Sequence, residues 1–218
     1  ACKKFNVEKF ILVSTDKAVN PTNIMGATKR LAEKICIGLQ GKTGTNFITV
    51  RFGNVLDSSG SVIPKFRAQI ESGGPITVTH PDITRFFMAI PEAAQLVMQA
   101  STMGVGGEIF VLDMGEPVLI NELAKNMIKL SGLNEGDIKI KFTGLRPGEK
   151  LYEELFHDTE ETQPTTNPSI LLAPQRYTEL KELSLSIDEL TSMARTTDDE
   201  GCRKILKRIV PEYTSNKT

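Results

Sequence analysis

Four polar residues that could move protons stand together near the start of the chain. Ser14, Thr15, Asp16 and Lys17 follow the short apolar run ILV at positions 11–13. An acid beside an amine gives two proton-transfer groups, and burial and mutual charge can tune the pKa of each. Such a pair suits an elimination, in which one group removes a proton and the other protonates the departing hydroxyl. The alternative interpretation is a surface ion pair in a turn, which is a common arrangement.

A helix predicted after Pro21 places two further residues beside this group. Met25 and Lys29 are four residues apart and therefore share one helix face. A serine at the carboxyl end of a parallel strand lies in the crevice where open α/β sheets bind ligands, so Ser14 and Lys29 would meet there. In a dehydrogenase-type site the position of Met25 ordinarily holds a tyrosine, and a thioether can neither give nor take a proton. The alternative is that Ser14 caps a turn and Lys29 is solvated.

The segment RFGNVLDSSGSVIPKF (51–66) combines three kinds of phosphate-binding group. It leaves a strand through Gly53 and Asn54, crosses a loop rich in serine and glycine, and opens a helix at about Ser61. Loop amides, an amide side chain and a helix N-terminus are suited to phosphate or sugar hydroxyls. On residues alone, a plain strand-to-helix connection explains the segment somewhat better.

Two arginines lie in segments whose conformation a turn can fix. Arg85 lies in TRFF (84–87), and Arg146 lies in GLRPGEK (144–150), directly before Pro147. Guanidinium groups bind pyrophosphate bidentately, so two of them from different loops would hold a nucleotide diphosphate. Arginine before Pro-Gly-Glu is equally good turn sequence, and the residues alone leave both interpretations open.

The composition is that of an ordinary globular protein and excludes several kinds of site. The 218 residues include 26 lysines and arginines and 27 acidic residues, so neither nucleic acid nor an anionic membrane is expected as the main partner. Three widely spaced cysteines without CxxC disfavour a disulfide framework and a zinc site, and His80 and His157 lack metal-ligand companions. No apolar run approaches the roughly 18 residues of a membrane span. We therefore expect no metal and a soluble, cytoplasmic chain.

Alternating strands and helices must position the polar residues. The β-rich runs KFILVS (9–14) and NFITVRF (46–52) enclose the helical segment 20–40, which predicts a parallel βαβ crossover. Alternation persists to about residue 156. Further helices are predicted at 61–74, 91–102 and 120–133, further strands at 75–80 and 107–115, and two terminal helices at 186–196 and 199–211. The composition of 163–174 indicates a connecting segment.

No stretch has the glycine-rich turn of a dinucleotide site. MGVGGE (103–108) ends a helix before a strand, whereas that turn follows a strand and opens a helix. GKT at 41–43 is no P-loop, because Cys36 replaces the required glycine.

Several segments, in this order, resemble one enzyme family. VSTDKAVNPTNIMGATKRLAEK, RFGNVLDSSGSVIPKF, DITRFFMAIPEAAQLV, EIFVLDMGEPVLINELA and GLRPGEKLYEELF are similar to the C-terminal half of nucleotide-sugar 4,6-dehydratases of the extended short-chain dehydrogenase/reductase superfamily. The group most similar dehydrates UDP-N-acetylglucosamine in polysaccharide biosynthesis. The resemblance runs from about residue 5 to 157 and more weakly to VPEY (210–213).

The resemblance implies an α/β fold, namely the C-terminal half of a Rossmann-like fold with a small α/β substrate-binding portion. It implies a partial NAD-dependent epimerase/dehydratase-like domain at 1–160, followed by a connecting segment and helices at 161–218. The first strands and the glycine-rich turn are expected upstream, so that this chain alone would bind NAD poorly. A homo-oligomer is expected for the full-length protein.

The resemblance also implies a mechanism. In this family NAD takes a hydride from carbon 4 of the sugar, water leaves from carbons 5 and 6, and the hydride returns to carbon 6. On this sequence Ser14 and Thr15 would hydrogen-bond the substrate near its carbon-4 oxygen, and Asp16 would be the acid for the departing hydroxyl. Lys17 would be the base at carbon 5, and Lys29 would contact the nicotinamide ribose.

The remaining implied contacts concern the UDP-sugar. Asn54 would contact the sugar or its phosphates, and Arg85, Arg146 and Glu149 would hold the UDP portion. An enzyme alternative is a nucleotide-sugar 4-epimerase, which needs no acid/base pair for elimination. An alternative from another class is a non-catalytic nucleotide-sugar binding module, which the methionine and the missing dinucleotide half favour.

Met25 is the main departure from the family pattern, since it stands for the tyrosine of Tyr-x-x-x-Lys. Proton removal at the carbon-4 hydroxyl must then fall to another group. Lys17, Asp16 or an ordered water relayed through Thr15 are the hypotheses, in that order. In having methionine at this position, the chain resembles the larger, membrane-anchored members of the group. The full-length protein is therefore expected to carry upstream membrane helices.

Overall fold

The computed structural model describes residues 1–2, 4–42, 44–157, 162–174 and 179–214. The chain divides into two compact units, each assembled from separate stretches of sequence. The first unit contains Ala1–Phe52, Gln95–Asp113 and Glu154–Thr218, and the second contains Gly53–Ala94 and Met114–Glu153. The predicted domain boundary at 160/161 lies outside the described residues and stays a prediction.

The elements alternate as the sequence predicts through most of the chain. The strands are β1 (Lys9–Val13), β2 (Asn46–Arg51), β3 (Asn54–Val55), β4 (Ile76–Val78), β5 (Thr84–Arg85), β6 (Phe87–Met88), β7 (Ile109–Leu112), β8 (Val118–Leu119), β9 (Ile140–Phe142), β10 (Gln163–Pro164) and β11 (Ile170–Ala173). The helices are α1 (Ile24–Leu39), α2 (Val62–Glu71), α3 (Ile90–Met103), α4 (Ile120–Leu130), α5 (Leu180–Arg195) and α6 (Asp199–Ile209), with a short 3-10 helix at Asp16–Ala18.

The first unit is built on a five-stranded sheet in the order β1-β2-β7-β11-β10. β1 pairs with β2 in parallel, and β2 pairs with β7 in parallel, which confirms the predicted α/β class and the crossover through α1. Ile48 and Val50 of β2 are fully buried, as expected for a strand that lies between two others in a parallel sheet. The carboxyl ends of β1 and β2 therefore lie at the same edge of the sheet.

The segment 163–174 is predicted to be a connection, and the structure corrects this. β11 pairs antiparallel with β7, and β10 pairs antiparallel with β11, so the segment extends the main sheet. Ile170 and Ala173 are buried against the sheet despite the proline, threonine and asparagine around them. Burial of these apolar side chains favours a strand over the turn structure that the composition suggests.

The second unit consists of three two-stranded sheets and the helices α2 and α4. β3 pairs with β6 and β4 with β9 in parallel, whereas β5 pairs antiparallel with β8. Phe66 and Ile70 of α2 pack in one cluster with Ala124 and Ile128 of α4.

Helix α1 is predicted to follow Pro21, and it begins at Ile24. The Asn23 side chain accepts a hydrogen bond of 2.8 Å from the Gly26 amide, which caps the helix and fixes its first turn. In the described part of the chain, no helix has the length and apolar character that crossing a bilayer requires.

Candidate active site

Ser14 anchors the carboxyl end of β1. Its amide donates to the Val50 carbonyl oxygen at 2.7 Å, and its hydroxyl donates to Glu33 Oε1 at 2.6 Å. Ser14 is buried, with 4% of its surface exposed. An ionised carboxylate only accepts hydrogen bonds, so the hydroxyl hydrogen is committed to Glu33. Ser14 can therefore offer a substrate lone pairs but no proton.

Glu33 lies at the centre of a buried ionic network. Arg51 Nε and Nη2 donate to its two carboxylate oxygens at 2.8 and 2.7 Å, and Arg30 Nη1 donates at 2.9 Å. Burial raises the pKa of Glu33, but the hydrogen bond and charge of Arg51, with Arg30 and Ser14, outweigh it and hold the pKa below its usual value. Glu33 is thus an ionised, fixed acceptor rather than a base.

The predicted acid/base pair is in direct contact. Lys17 Nζ lies 3.0 Å from Asp16 Oδ1, and the Thr15 hydroxyl donates to the same oxygen at 2.8 Å. Asp16 is fully buried, and its amide donates to the Phe52 carbonyl oxygen at 3.1 Å. Its other oxygen, Oδ2, has no hydrogen-bond partner within the described residues. Oδ1 already accepts two hydrogen bonds, so Oδ2 is the carboxylate oxygen that keeps its acceptor capacity.

Thr15 holds the short turn that carries the pair. It caps the 3-10 helix by accepting from the Lys17 amide at 3.4 Å while it donates to Asp16. Like the Ser14 hydroxyl, the Thr15 hydroxyl already donates its hydrogen in a hydrogen bond and can still accept one. Thr15 is partly exposed whereas Ser14 is buried, so Thr15 is the better placed of the two for a ligand.

The two residues predicted on α1 lie at its start. Lys29 Nζ donates to the carbonyl oxygen of Val13, the last residue of β1, at 3.2 Å. Met25 is 48% exposed, so its thioether is accessible to solvent. The structure thereby brings Lys29 to the strand end that carries Ser14, as predicted.

Gly26 lets α1 approach the turn that bears Lys17. A methyl group at Gly26 would lie 2.1 Å from the Lys17 carbonyl oxygen and 3.0 Å from Pro21 Cβ. Such contacts are impossible without displacement of the backbone. The glycine therefore sets the distance between the acid/base turn and the face of Met25 and Lys29.

Gly26→Ala is accordingly expected to lower the free energy of unfolding by about 1–3 kcal/mol, the usual cost of overpacking. The matched control is Gly44→Ala, because a methyl group there meets no atom within 4 Å. Urea unfolding of both variants and the wild type measures the difference. Equal unfolding midpoints for the two variants would show that the close approach carries no cost.

In the second unit, Arg85 is held by backbone oxygens. Its guanidinium group donates to the carbonyl oxygens of Thr84 at 2.7 Å, Lys150 at 2.9 Å and Leu151 at 3.3 Å. Arg85 Nη2 also lies 3.4 Å from Glu149 Oε1. With 9% of its surface exposed, Arg85 ties β5 to the segment that contains Glu149.

Arg146 and Glu149 form an open pair on this segment. The Arg146 amide donates to Glu149 Oε2 at 3.0 Å, and Nη2 lies 3.3 Å from Oε1, while 77% of the arginine side chain is exposed. Burial raises the pKa of Glu149, but hydrogen bonds from Arg146 and the charges of Arg146 and Arg85 outweigh it and lower the pKa. Arg146 is thus positioned by Glu149 and remains open to an anion.

Asn54 is predicted to lie in a loop, but the structure places it in β3, and the loop to α2 follows that strand. The Asn54 amide donates to the Phe86 carbonyl oxygen at 3.1 Å, and α2 begins directly after Ser61. The Ser61 hydroxyl is buried and has no hydrogen-bond partner in the described part of the chain. No cluster of metal-binding side chains occurs in the described ranges.

Sequence reasoning missed the ionic network of Glu33, Arg30, Arg51 and Glu212. Arg30 Nε donates to Glu212 Oε1 at 2.7 Å, which links α1 to a residue 182 positions away. One signal was available: Glu33 stands four residues after Lys29 and shares its helix face. Arg51, at the end of a buried strand, was a second signal, because a buried charge requires a partner.

Comparison with known proteins identifies relatives of this chain. The family model described as polysaccharide biosynthesis protein matches residues 1–175. Capsular polysaccharide biosynthesis protein CapD of Staphylococcus aureus is 62% identical over 161 residues, which cover 73% of this chain and 27% of the relative. A UDP-glucose 4-epimerase of Rickettsia bellii is 42% identical over 157 residues, which cover 71% of this chain and 45% of the relative. The chain thus spans about a quarter to a half of the length of these relatives.

Solved structures show the same likeness. The structure of Pen from Bacillus thuringiensis has a TM-score of 0.74 at 37% identity, and the match covers 82% of this chain and 56% of Pen. The UDP-glucose 4-epimerase of Thermus thermophilus, solved in complex with NAD, has a TM-score of 0.62 at 19% identity. This match covers 71% of this chain and 57% of the epimerase, and it shows likeness of fold alone.

Proposed function

We propose that this chain, which belongs to the polysaccharide biosynthesis protein family, is half of a UDP-N-acetylglucosamine 4,6-dehydratase. This half would supply the acid/base groups and bind the substrate. The family includes nucleotide-sugar dehydratases and epimerases. The observation that carries the proposal is the contact of Lys17 with the fully buried Asp16 at 3.0 Å. An elimination needs one group to remove a proton and another to protonate the leaving hydroxyl. Epimerisation at carbon 4 needs no proton removed from carbon 5 and no departing hydroxyl.

Asp16 is the proposed acid, and Lys17, in its neutral amine form, is the proposed base at carbon 5. Asp16 Oδ1 is occupied by Thr15 and Lys17, which leaves Oδ2 to hold the proton for the departing hydroxyl. The Lys17 side chain is 20% exposed, so it lies at the border between the protein and the space a substrate would enter. Both groups stand on one rigid turn, which favours correct placement.

The position of Met25 requires another route for the proton of the carbon-4 hydroxyl. Thr15 can accept a hydrogen bond from that hydroxyl while its own hydrogen points to Asp16. A proton can then pass through Thr15 to the ionised Asp16 carboxylate without help from Met25, and the carboxyl so formed would give that proton to the departing hydroxyl. This geometry supports Asp16, reached through Thr15, as a candidate beside Lys17.

NAD is the proposed cofactor, and the described residues fit one end of it. The Lys29 ammonium group has three hydrogens, of which the bond to the Val13 carbonyl oxygen uses one. The others would be available to the hydroxyls of a nicotinamide ribose. Bound NAD would supply the oxidising group that the sugar requires at carbon 4.

The second unit is proposed to hold the UDP portion. Arg146 is exposed and oriented by Glu149, so its guanidinium group is available to a phosphate. Arg85 would act mainly by fixing the segment that carries Glu149. Asn54 and the N-terminus of α2 are proposed to contact the sugar or its phosphates. A homo-oligomeric full-length protein and its membrane anchor stay predictions.

A nucleotide-sugar 4-epimerase is the second candidate, since relatives at 42% identity carry that name. Mass spectrometry of UDP-N-acetylglucosamine incubated with NAD and the full-length protein separates the two. We expect loss of one water from the sugar nucleotide. A product of unchanged mass would favour the epimerase, and binding of UDP without any turnover would favour a non-catalytic module.

A further inference from the structure

The last described residues of the chain pack beside the proposed acid/base turn and its helix. Residues 210–214, here called the C-terminal segment, follow α6 directly. Val210 and Tyr213 are buried in one cluster with Ala27 and Leu31 of α1. The segment lies beyond residue 175, where the match to the family model ends.

Two hydrogen bonds attach this segment on either side of Met25. The Thr214 amide donates to the Pro21 carbonyl oxygen at 2.9 Å, in the turn between the 3-10 helix and α1. Glu212 Oε1 accepts from Arg30 Nε at 2.7 Å, one residue after Lys29. The side chain of Glu212 is 17% exposed and that of Arg30 only 3%, so both are shielded from bulk water.

The Glu212 contact continues inward to the strand end. Arg30 uses Nε for Glu212 and Nη1 for Glu33 at 2.9 Å, and Glu33 in turn accepts from the Ser14 hydroxyl. Charge-assisted hydrogen bonds of this kind are directional, so each group fixes the orientation of the next. Successive hydrogen bonds thus connect the C-terminal segment to Ser14, the residue before Thr15, by way of Glu212, Arg30 and Glu33.

The C-terminal segment is itself held in place by α6. Lys207 Nζ, in the last turn of the helix, donates to the Pro211 carbonyl oxygen at 2.8 Å and also to that of Tyr213. A lysine that binds carbonyl oxygens beyond a helix end fixes the direction in which the chain leaves the helix. The segment therefore meets Pro21 and Arg30 as a preorganised element.

We propose that Glu212 is a positioning residue for the active site, and that the C-terminal segment holds the start of α1 against the turn that carries Asp16 and Lys17. The proposal rests on the proposed function of that turn. Glu212 is proposed to touch neither substrate nor cofactor. It acts through Arg30 and Glu33 on Ser14, and Thr214 acts through the Pro21 carbonyl oxygen.

Two variants of the full-length protein test this, one for each attachment. Glu212→Gln removes the charge that faces Arg30, and Thr214→Pro removes the amide that Pro21 accepts. Their controls are Glu189→Gln, at an exposed ion pair with Arg208, and Thr214→Ala, which keeps the amide. We expect kcat to fall about tenfold in each test variant with KM within about twofold, because small displacements of reacting groups cost rate rather than binding.

Hydrogen exchange supplies a readout that needs no turnover. The amides of Asp16, Val19 and Ala27 are hydrogen-bonded in the structure. In Glu212→Gln and Thr214→Pro they should exchange at least about fivefold faster, while amides of the second unit stay unchanged, as expected for local opening. Both controls should match the wild type.

Two results would overturn the proposal: unchanged kcat and unchanged exchange at residues 14–29 in both test variants, or an equal fall of protection across the whole chain. The second would mean that the segment contributes only general stability. If the wild type forms no dehydrated product, the proposed function fails instead. The exchange experiment still decides whether the segment positions the turn.

Discussion

Asp16→Asn should lower the kcat of the full-length protein about 10²–10⁴-fold, the usual contribution of a positioned proton donor or acceptor. The change is nearly isosteric. An asparagine oxygen can still accept from Thr15 and Lys17, so the two contacts of Oδ1 can persist. What is lost is a carboxyl group that can take up and pass on a proton, with Oδ2 as the oxygen that has no hydrogen-bond partner in the described residues. KM should change little, because the substituted group is proposed to act mainly in the transition state.

Steady-state kinetics with quantification of the dehydrated product measures this effect. Asp188→Asn is the control, since Asp188 belongs to α5, far from the turn in sequence. A kcat of Asp16→Asn within about threefold of the wild type would exclude Asp16 as the acid. Activity lost together with the folded state, seen by circular dichroism, would instead assign Asp16 a structural role.

Glu33→Ala should produce the largest loss of stability, about 3–5 kcal/mol in the free energy of unfolding, because a buried charge that has lost its partner is costly. The side chains of Glu33 and Arg51 are fully buried, and that of Arg30 is nearly so. Removal of the carboxylate leaves the Arg51 guanidinium group without its two charge-assisted hydrogen bonds to Glu33, inside a region shielded from water. An exposed ion pair, in contrast, contributes little.

Urea unfolding of the chain measures the loss, with Glu189→Ala as the control at an exposed ion pair. The control should shift the midpoint far less. A decrease of under about 1 kcal/mol for Glu33→Ala would mean that water or a rearranged partner compensates Arg51.

The loss of stability caused by Glu33→Ala should depend on pH. Because the folded-state pKa of Glu33 is lowered from 4.5, its ionised form stabilises the native chain. This contribution is complete above the unfolded pKa and disappears as the pH falls through the lower folded pKa. The stability difference between the wild type and Glu33→Ala should therefore be largest near neutral pH and shrink below about pH 4. A difference independent of pH would assign the effect to lost packing alone.

The parts of the fold and site that depend on local pattern could be predicted from the sequence. Ser14 to Lys17 are consecutive, so one strand end brings them together whatever the rest of the chain does. Lys29 reaches the same edge because helix periodicity after Pro21 determines its face. Met25 is likewise visible in the sequence as the departure that any mechanism must accommodate.

What could not be predicted depends on contacts between distant residues. Glu33 meets Arg51 only when α1 packs on β2, and Arg30 meets Glu212 across 182 positions. β11 forms by pairing with β7, although the residues around it in the sequence have the composition of a turn. Arg85 could be recognised as a candidate from its neighbours, but its bonds to backbone oxygens depend on the path of residues 149–151.

The central claim is that Asp16 and Lys17 carry out an elimination on a UDP-sugar. The most direct test follows UDP-N-acetylglucosamine labelled with deuterium at carbon 4, incubated with NAD and the full-length protein, by mass spectrometry and NMR. We expect a product that has lost one water, retains the deuterium and carries it on carbon 6. A product of unchanged mass with deuterium still on carbon 4 would show that no elimination takes place.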